Sequence, residues 1–267
     1  MPQVFVDGHV HIHSSFNLEH LFTCAKGNFD AIEATTGEVE SARFLLLTES
    51  TGMDVFATLQ QEASSRGPST KKLHVEKTEE ENSLRVIFSH GAGVYLVAGR
   101  QIVTKERLEV LALGWQGPYP DGTPIAQVLN DLAARPCLAV LPWGAGKWFG
   151  KRGQLVQELV STASQQAFFL GDNANRPFFW PLPALFKLAQ EKKIRNIPGS
   201  DPLPFARQED KVGSFGCSLA GDINPQKPFA SLQNLMMEPG TVLYPYGRLE
   251  GLIPFLKHQL LMQLKKK

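Results

Sequence analysis

The 267-residue sequence contains little cysteine and no long apolar run. Cys24, Cys137 and Cys217 are too few and too scattered for a disulfide framework, and no two of them pair at the spacing of a metal site. We therefore expect buried thiols in a reducing compartment and a cytoplasmic protein. No apolar run approaches the ~18 residues of a membrane span, and no signal peptide is visible, so we expect no membrane span.

Net charge is also nearly absent, because 27 Lys and Arg oppose 26 Asp and Glu. This balance argues against a broad basic surface, and we expect no nucleic-acid partner. A hydrophobic content of 43% indicates a globular chain. No repeat or linker divides the sequence, and α/β barrels of about 250 residues form single domains. We therefore predict one domain, residues 1–267.

Short apolar runs alternate with amphipathic segments, which favours an α/β fold with a mainly parallel sheet. The predicted strands are residues 4–12, 43–48, 73–78, 84–89, 94–104, 108–113, 137–141, 167–170 and 196–197. The predicted helices are residues 17–34, 54–64, 125–134, 154–164 and 182–192. The polar segment 64–72 is predicted to be a loop, and segments 73–78 and 84–89 are predicted to form a hairpin.

The first predicted strand carries histidines at alternate positions. Alternate strand residues share a face, so we predict two faces. One face consists of Val4, Val6, Val10 and Ile12, and the other of Asp7, His9, His11 and His13. A divalent metal at the strand end is a natural partner for clustered imidazoles, and a row of hydrogen-bonded histidines without metal is the alternative. His13 is expected beyond the strand end, facing solvent.

The segment Asp7-Gly8-His9-Val10-His11-Ile12-His13-Ser14-Ser15 resembles Asp-x-His-x-His-x-x-Ser, the opening motif of the polymerase and histidinol phosphatase (PHP) family. Pro198-Gly199-Ser200-Asp201-Pro202-Leu203 resembles the family's closing Gly-Ser-Asp-Ala-His. Three weaker likenesses lie between them in the family's order, at 44–50, at 98–102 with 109–114, and at 138–142. The resemblance spans about residues 4 to 216.

This resemblance implies a distorted (β/α)₇ TIM-like barrel with metals at the carboxyl ends of its strands, where they activate water for phosphoester hydrolysis. His9, His11 and Asp201 match the family's metal ligands. Other ligand positions of the family differ in this sequence. Its usual histidines are replaced by Ser50, Glu109, Leu141 and Leu203, and a usual glutamate is replaced by Gln101. A leucine cannot bind a metal, so we expect at most one ion, Zn²⁺, Mn²⁺ or Fe²⁺, and a site without metal is the alternative.

Glu49 and Glu109 are the candidate catalytic carboxylates, each able to add a ligand or act as general base on a water. The alternative for Glu49 is an ion pair at the strand end, and for Glu109 a salt bridge near Lys105. Asp201 is the best-supported acidic ligand, since Gly199 and Ser200 permit a tight turn, although a helix N-cap is its alternative.

Two loops after predicted strands are candidate substrate contacts. The first, 142–152, is glycine-rich and offers Lys147, Lys151 and Arg152 to an anion or sugar phosphate, but it matches neither the Walker A nor the dinucleotide pattern. The second, 169–177, offers the hydrogen-bonding side chains of Asp172, Asn173 and Arg176. A flexible loop and Asx turns, respectively, are the alternatives.

Two functions follow from these residues. The first is a PHP-like metal-dependent hydrolase of phosphoesterase type, which uses one ion and an activated water on a small phosphorylated or anionic molecule. The alternative is a non-catalytic descendant of the PHP fold that acts as a binding or scaffold module with a protein partner. Metal-free chemistry at the same cavity is a third interpretation.

Overall fold

The computed structural model describes residues 2–37, 41–65, 73–163 and 167–265. Its helices are α1 (Leu18–Thr36), α2 (Val55–Ser65), α3 (Ile125–Ala133), α4 (Gly150–Thr162), α5 (Ala184–Glu191), α6 (Pro228–Met237) and α7 (Leu252–Lys265), with a 3₁₀ helix at Gln208–Lys211. Its strands are β1 (Gln3–Val10), β2 (Ser41–Leu47), β3 (Leu73–Lys77), β4 (Ser83–Phe88), β5 (Val94–Val97), β6 (Gly99–Val103), β7 (Glu109–Leu113), β8 (Leu138–Pro142), β9 (Phe169–Gly171), β10 (Gly216–Ala220) and β11 (Tyr244–Tyr246). From residue 66 on, the predicted loop 64–72 lies outside the described residues.

The strands form two sheets of mixed direction. The larger has the order β11-β10-β1-β2-β5-β4-β3, and the smaller has the order β6-β7-β8-β9. Only the pairs β1–β2, β2–β5 and β8–β9 are parallel in the described ranges. The expectation of a mainly parallel sheet is therefore wrong. The predicted β3–β4 hairpin is present, and further short connections make β4–β5 and β6–β7 antiparallel too.

The predicted strand 94–104 divides between the two sheets at Ala98. β5 pairs with β2 in the larger sheet, whereas β6 pairs with β7 in the smaller one. Gly99 permits this change, because a Cβ at that position would overlap the carbonyl oxygen of Leu47. Backbone hydrogen bonds from Glu49 N to Gly99 O (3.0 Å) and from Gln101 N to Glu49 O (2.9 Å) join the sheets here.

A second connection between the sheets runs through residues 196–201, which lie between β9 and β1. The amide of Ile197 donates to Leu170 O (2.8 Å), and the amide of Gly8 donates to Pro198 O (3.0 Å). Individual hydrogen bonds and isolated bridges, not ladders, link the sheets at both junctions. Strand pairing in the described part of the chain therefore does not confirm the predicted closed TIM-like barrel, although the mixed α/β class holds.

The apolar side chains form three clusters that follow this layout. Helices α1 and α2 cover one sheet, and α3, α4 and α5 cover the other. The third cluster lies between the sheets and receives side chains from β1, β2, β5, β7, β8, β9 and β10. Helix α6 contributes Phe229, Leu232 and Met236 to it. Phe229 contacts the backbone at Gly114, which follows the last residue of β7. Helix α6 therefore lies at one end of this third cluster, and Glu109, the first residue of β7, lies at the other end.

Two strands that were not predicted, β10 and β11, complete the larger sheet. β10 pairs antiparallel with β1, and β11 pairs with β10. The thiol of Cys217 on β10 is buried as expected, but Cys24 and Cys137 are only half-buried. Among the helices of the described ranges, none is long and apolar enough to cross a bilayer.

We predict that Gly199→Ala destabilises the protein by about 1–3 kcal/mol, because the new Cβ would overlap the backbone nitrogen of His9 and push residues 196–201 away from β1. Gly27→Ala is the matched control. Gly27 lies inside α1 with open space around it, so alanine should stabilise the protein by about 0.5–1 kcal/mol. Urea denaturation measures both changes. A Gly199→Ala protein as stable as the wild type would contradict the close contact between this segment and β1.

Candidate metal centre

Three side chains with metal-binding atoms meet where β1 ends. His9 Nε2 lies 3.1 Å from His11 Nε2, and Asp201 Oδ1 lies 3.5 Å from the first nitrogen and 3.7 Å from the second. Both histidine side chains are nearly buried, and that of Asp201 is 19% exposed. The structure therefore brings together the three residues predicted as ligands and leaves Asp201 partly accessible to solvent.

An irregularity in β1 sets the direction of the two histidines. The pairing of β1 with β2 shifts register between Asp7 and Val10. Val4 and Val6 precede this shift and pack in the apolar cluster between the two sheets. Val10 and Ile12 follow it and pack in the cluster between the larger sheet and helices α1 and α2. The prediction that Val4, Val6, Val10 and Ile12 share one face is therefore wrong. A bulge-like irregularity reverses the side-chain alternation, which the sequence pattern does not reveal.

The carboxylate of Asp7 ties β1 to the closing motif. It is fully buried, and it accepts hydrogen bonds from the amides of Ser200 (2.8 Å), Gly213 (2.8 Å) and His9 (3.3 Å). Burial raises the pKa of Asp7 to about 7, although these amide donors favour the carboxylate and oppose the shift. Asp7 therefore holds the backbone of His9 beside that of Ser200, and so sets the distance from His9 to Asp201.

Asp201 occupies a left-handed backbone conformation with φ of 46°. Its amide donates to His9 O (2.8 Å), and Asn175 Nδ2 donates to its carbonyl (2.6 Å). The carboxylate points toward the imidazoles, and the next helical element begins only at Gln208, so it is not a helix N-cap. Burial opposes ionisation, but the nearby His9 and Lys147 lower the pKa of Asp201 below its usual value.

The donor set fits a single transition-metal ion. Two nitrogen or oxygen ligands bound at about 2.0–2.1 Å in a tetrahedral shell lie about 3.4 Å apart, close to the three spacings observed here. Burial lowers the pKa of His11 to about 3, so its imidazole is neutral, which is the form that binds metals. Zn²⁺, Mn²⁺ and Fe²⁺ all accept imidazole and carboxylate ligands.

His13 lies beside this cluster. Its Nε2 is 2.9 Å from the carbonyl oxygen of Pro202, and its ring stacks on that of His11 with centroids 5.6 Å apart. β1 ends at Val10, so His13 follows the strand as expected. The expected solvent-facing position is wrong, because His13 is half-buried between His11 and the edge of Phe16.

Glu109 and Lys147 form an ion pair near the three ligands. β7 runs antiparallel to β8, so Glu109 at the start of β7 lies near the loop that follows Pro142. The charge of Lys147 acts on both His11 and Asp201, which places its ammonium group by the candidate centre. Of the three predicted anion-binding cations, Lys147 is therefore the one that the structure brings to this site.

The other two cations have different surroundings. Helix α4 begins at Gly150, before the predicted start at 154, so Lys151 and Arg152 lie in its first turn. The side chain of Lys151 is exposed. Arg152 donates to the carbonyl oxygens of Gly146 (2.7 Å) and Arg107 (3.3 Å), and so holds the loop in shape. Their role as substrate contacts stays a prediction.

Glu49 is buried at the end of β2, where its carboxylate accepts a hydrogen bond from the amide of Phe56 (2.9 Å) in the first turn of α2. Burial raises its pKa, and the helix N-terminus and nearby Arg100 oppose this effect. The carboxylate is thus engaged in capping a helix.

Asp172, Asn173 and Arg176 form a buried hydrogen-bonded unit. Arg176 binds Asp172 through two hydrogen bonds, Nε to Oδ1 (2.8 Å) and Nη2 to Oδ2 (2.7 Å). Asn173 Nδ2 donates to Trp143 O (2.8 Å), and Asn173 Oδ1 accepts from the amide of Asn175 (3.1 Å), which is an Asx-type turn.

Asp172 and Arg176 line a mostly apolar cavity of about 670 Å³, whose lining does not include His9, His11 or Asp201. Their predicted role in binding substrate stays untested.

Comparisons with known proteins show a shared fold and nothing finer. No family model and no curated protein matches the chain. The solved structure of PsfC from Pseudomonas syringae PB-5123 is similar over 100% of both chains, with 15% identity and a TM-score of 0.57. This PsfC structure has a PHP-type fold, so the likeness supports a PHP-like fold for the chain but does not confirm the predicted TIM-like barrel.

Two structures of endonuclease Q are more distant. The lesion-specific PfuEndoQ from Pyrococcus furiosus matches at 12% identity with a TM-score of 0.47. A complex of endonuclease Q with a 27-mer duplex carrying an abasic lesion matches at 12% identity with a TM-score of 0.44. The matches cover 90% of this chain but 57% of each endonuclease chain.

The expectation that nucleic acid is not a partner is contradicted by the second of these structures, in which endonuclease Q itself is bound to a 27-mer DNA duplex. The physical reason is that net charge describes the whole chain, whereas phosphate recognition depends on the few charges around a site. The near-zero balance of charges therefore does not exclude nucleic acid.

One potential site was missed in the sequence. His20, Cys24 and Asp210 place three metal-binding atoms within 4.8 Å of one another, outside the centre described above. The signal was present, because His20 and Cys24 stand four residues apart in a segment predicted to be helical, and so on one helix face.

We predict that His11→Ala and Asp201→Asn each lower the metal content of protein purified without chelator by at most one ion per chain, because each removes one donor from the same ion. Elemental analysis measures this change. His74→Ala is the matched control, since His74 lies on β3 and pairs with Glu76. Loss of two or three ions in either variant would show that other residues replace the donors missing at Ser50, Leu141 and Leu203.

Proposed function

We propose that this protein is a metal-dependent hydrolase of phosphoester type, in which His9, His11 and Asp201 hold one divalent ion. The observation that carries the proposal is the meeting of two buried imidazoles and a carboxylate, 3.1–3.7 Å apart, beside the cation of Lys147. An ion bound there would polarise a phosphoryl oxygen and make water a better nucleophile near neutral pH.

We assign to Lys147 the role of binding the anionic substrate. Its side chain is 33% exposed, so the ammonium group can reach a ligand from solvent while it neutralises Glu109. A phosphoryl group beside Asp201 would bring additional negative charge to the site, and a nearby cation offsets that repulsion. Gly144 permits this position of the side chain, because a Cβ at residue 144 would overlap Cδ of Lys147.

Glu109 is the residue that we assign as general base, in preference to Glu49. Its carboxylate is paired with Lys147, and a substrate anion that attracts Lys147 would free a carboxylate oxygen to accept a proton from water. The carboxylate of Glu49, by contrast, is engaged with the first turn of α2. Glu49 then supports the site by fixing the end of β2.

The substrate class follows from this chemistry and not from the fold, which hosts different functions in different proteins. We propose a small phosphorylated or anionic molecule. Because endonuclease Q binds an abasic duplex, DNA belongs among the substrates to be tested.

A non-catalytic descendant is the second candidate, and the surroundings of Leu141 favour it. Leu141 stands at a ligand position of the resembled family, and its side chain is 1% exposed within the apolar cluster under α3, α4 and α5. That position has become part of the core. Such a protein would act as a binding or scaffold module with a protein partner.

We predict that hydrolysis of an aryl phosphate, assayed with added Mn²⁺ or Zn²⁺, falls at least about 100-fold in His11→Ala and in Asp201→Asn, because each variant loses part of the ion's shell. His74→Ala should retain wild-type activity. The same assay with a diaryl phosphate and an abasic DNA duplex identifies the substrate class. Activity that persists undiminished in both site variants would contradict the proposal, and inactivity on all three substrates with metal bound would favour the binding module.

We predict that Glu109→Gln lowers kcat by about 10²–10⁴-fold while metal content stays unchanged, because the variant lacks the proton acceptor but keeps the three ligands. Glu79→Gln is the matched control, since Glu79 is exposed and distant in sequence from the site motifs. Steady-state kinetics and elemental analysis on the same preparations measure both quantities. An unchanged kcat in Glu109→Gln would remove Glu109 from the mechanism.

A further inference from the structure

A second group of metal-binding atoms lies between α1 and the 3₁₀ helix. His20 and Cys24 stand one turn apart on α1, and Asp210 is on the 3₁₀ helix. His20 Nε2 lies 2.7 Å from Asp210 Oδ1, and Cys24 Sγ lies 3.6 Å from that nitrogen and 3.9 Å from that oxygen. Three different kinds of donor therefore converge within the spacing of one ion.

The backbone around this group is held in place independently of the three side chains. Asn28, one turn beyond Cys24, donates through Nδ2 to the carbonyl oxygens of Asp210 (2.9 Å) and Val212 (2.8 Å). His20, Cys24 and Asn28 thus form one face of α1 that contacts the 3₁₀ helix and the residue after it. The donors are positioned before any ligand binds, which lowers the entropic cost of binding.

A neighbouring carboxylate lacks a partner. Glu209 Oε2 is buried and has no hydrogen-bond partner among the described residues. The charge of Glu209 acts on the Cys24 thiol, so the two groups are close. A buried carboxylate oxygen without a partner is costly, and a cation beside it would remove that cost.

We propose that His20, Cys24 and Asp210 form a second metal site, for a thiophilic divalent ion of the Zn²⁺ class. In a tetrahedral shell with Zn–S of about 2.3 Å and Zn–N of about 2.0–2.1 Å, sulfur and nitrogen lie about 3.6 Å apart, as Cys24 and His20 do here. The hydrogen bond between His20 and Asp210 would give way to two bonds to the ion. A thiolate with imidazole favours Zn²⁺ over Mg²⁺ or Ca²⁺.

The fourth position would be taken by water, because the donor atoms within 4.8 Å of one another belong to His20, Cys24 and Asp210 alone among the described residues. Arg207 binds the other oxygen of Asp210, Oδ2, at 3.2 Å, and its side chain is 88% exposed, so it leaves Oδ1 available. An ion here would fasten the 3₁₀ helix to α1. Since α1 follows His13 and the 3₁₀ helix follows Asp201, the second site would brace both sides of the candidate centre without sharing a ligand with it.

Cobalt(II) titration of the full chain tests this proposal, because a cysteine thiolate bound to Co²⁺ gives a near-ultraviolet charge-transfer absorption that imidazole and carboxylate ligands do not give. We expect this band in the wild type, its loss in Cys24→Ser, and a weaker Co²⁺ affinity in Asp210→Asn. Cys137→Ser is the matched control and should keep the band, since Cys137 is a half-buried thiol far from His20 in sequence. Added Zn²⁺ should abolish the band by displacement.

The experiment also separates this site from the proposed catalytic one. His11→Ala should keep the thiolate band in full, whereas a loss of phosphoester hydrolysis in His11→Ala would concern the other centre alone. Absence of the band in the wild type, or its persistence in Cys24→Ser, would overturn the proposal. If Cys24→Ser does not fold, His20→Ala takes its place, because His20 is 54% exposed and its loss leaves the core intact. This variant should bind Co²⁺ more weakly in a titration followed by the same band, and an unchanged affinity would overturn the proposal.

Discussion

The buried carboxylate of Asp7 joins three parts of the backbone that are far apart in the sequence, through the amides of His9, Ser200 and Gly213. This interaction seats the closing segment against β1, where Gly199 packs directly on the backbone of His9. The spacing between the imidazoles and Asp201 depends on it. A longer side chain at Gly199, or a lost acceptor at Asp7, would separate the two halves of the site before any ligand were changed.

Charged groups around the site are paired, which makes their burial tolerable. Glu109 holds Lys147, and Asp172 holds Arg176 through two hydrogen bonds. The His9–His11 contact is different in kind, because it brings together two nitrogens that share a preference for the same cation. An ion between them would bind both nitrogens and the carboxylate of Asp201. A metal would therefore stabilise the ligand cluster more than any other part of this network.

The pattern of apolar residues along the sequence was sufficient to predict elements whose boundaries depend on residues close by in the chain. Asn17 caps α1 and Gly37 ends it in a left-handed conformation, and the predicted helix differs by a few residues. The change of sheets at Ala98 could not be predicted, because one continuous apolar run serves both β5 and β6 and only contact with Leu47 explains Gly99. The resemblance to the PHP motifs implied that His9, His11 and Asp201 meet. The Lys147–Glu109 pair depends on antiparallel β7–β8 pairing, which propensity does not reveal.

Anomalous diffraction from crystals soaked with Mn²⁺ or Zn²⁺ tests the central claim, that His9 and His11 of the opening motif and Asp201 of the closing motif hold one ion. We predict a single anomalous peak within bonding distance of His9 Nε2, His11 Nε2 and Asp201 Oδ1. A separate Zn²⁺ peak beside Cys24 would belong to the second site. No peak between His9, His11 and Asp201 at saturating metal, with the three side chains still together, would contradict the account.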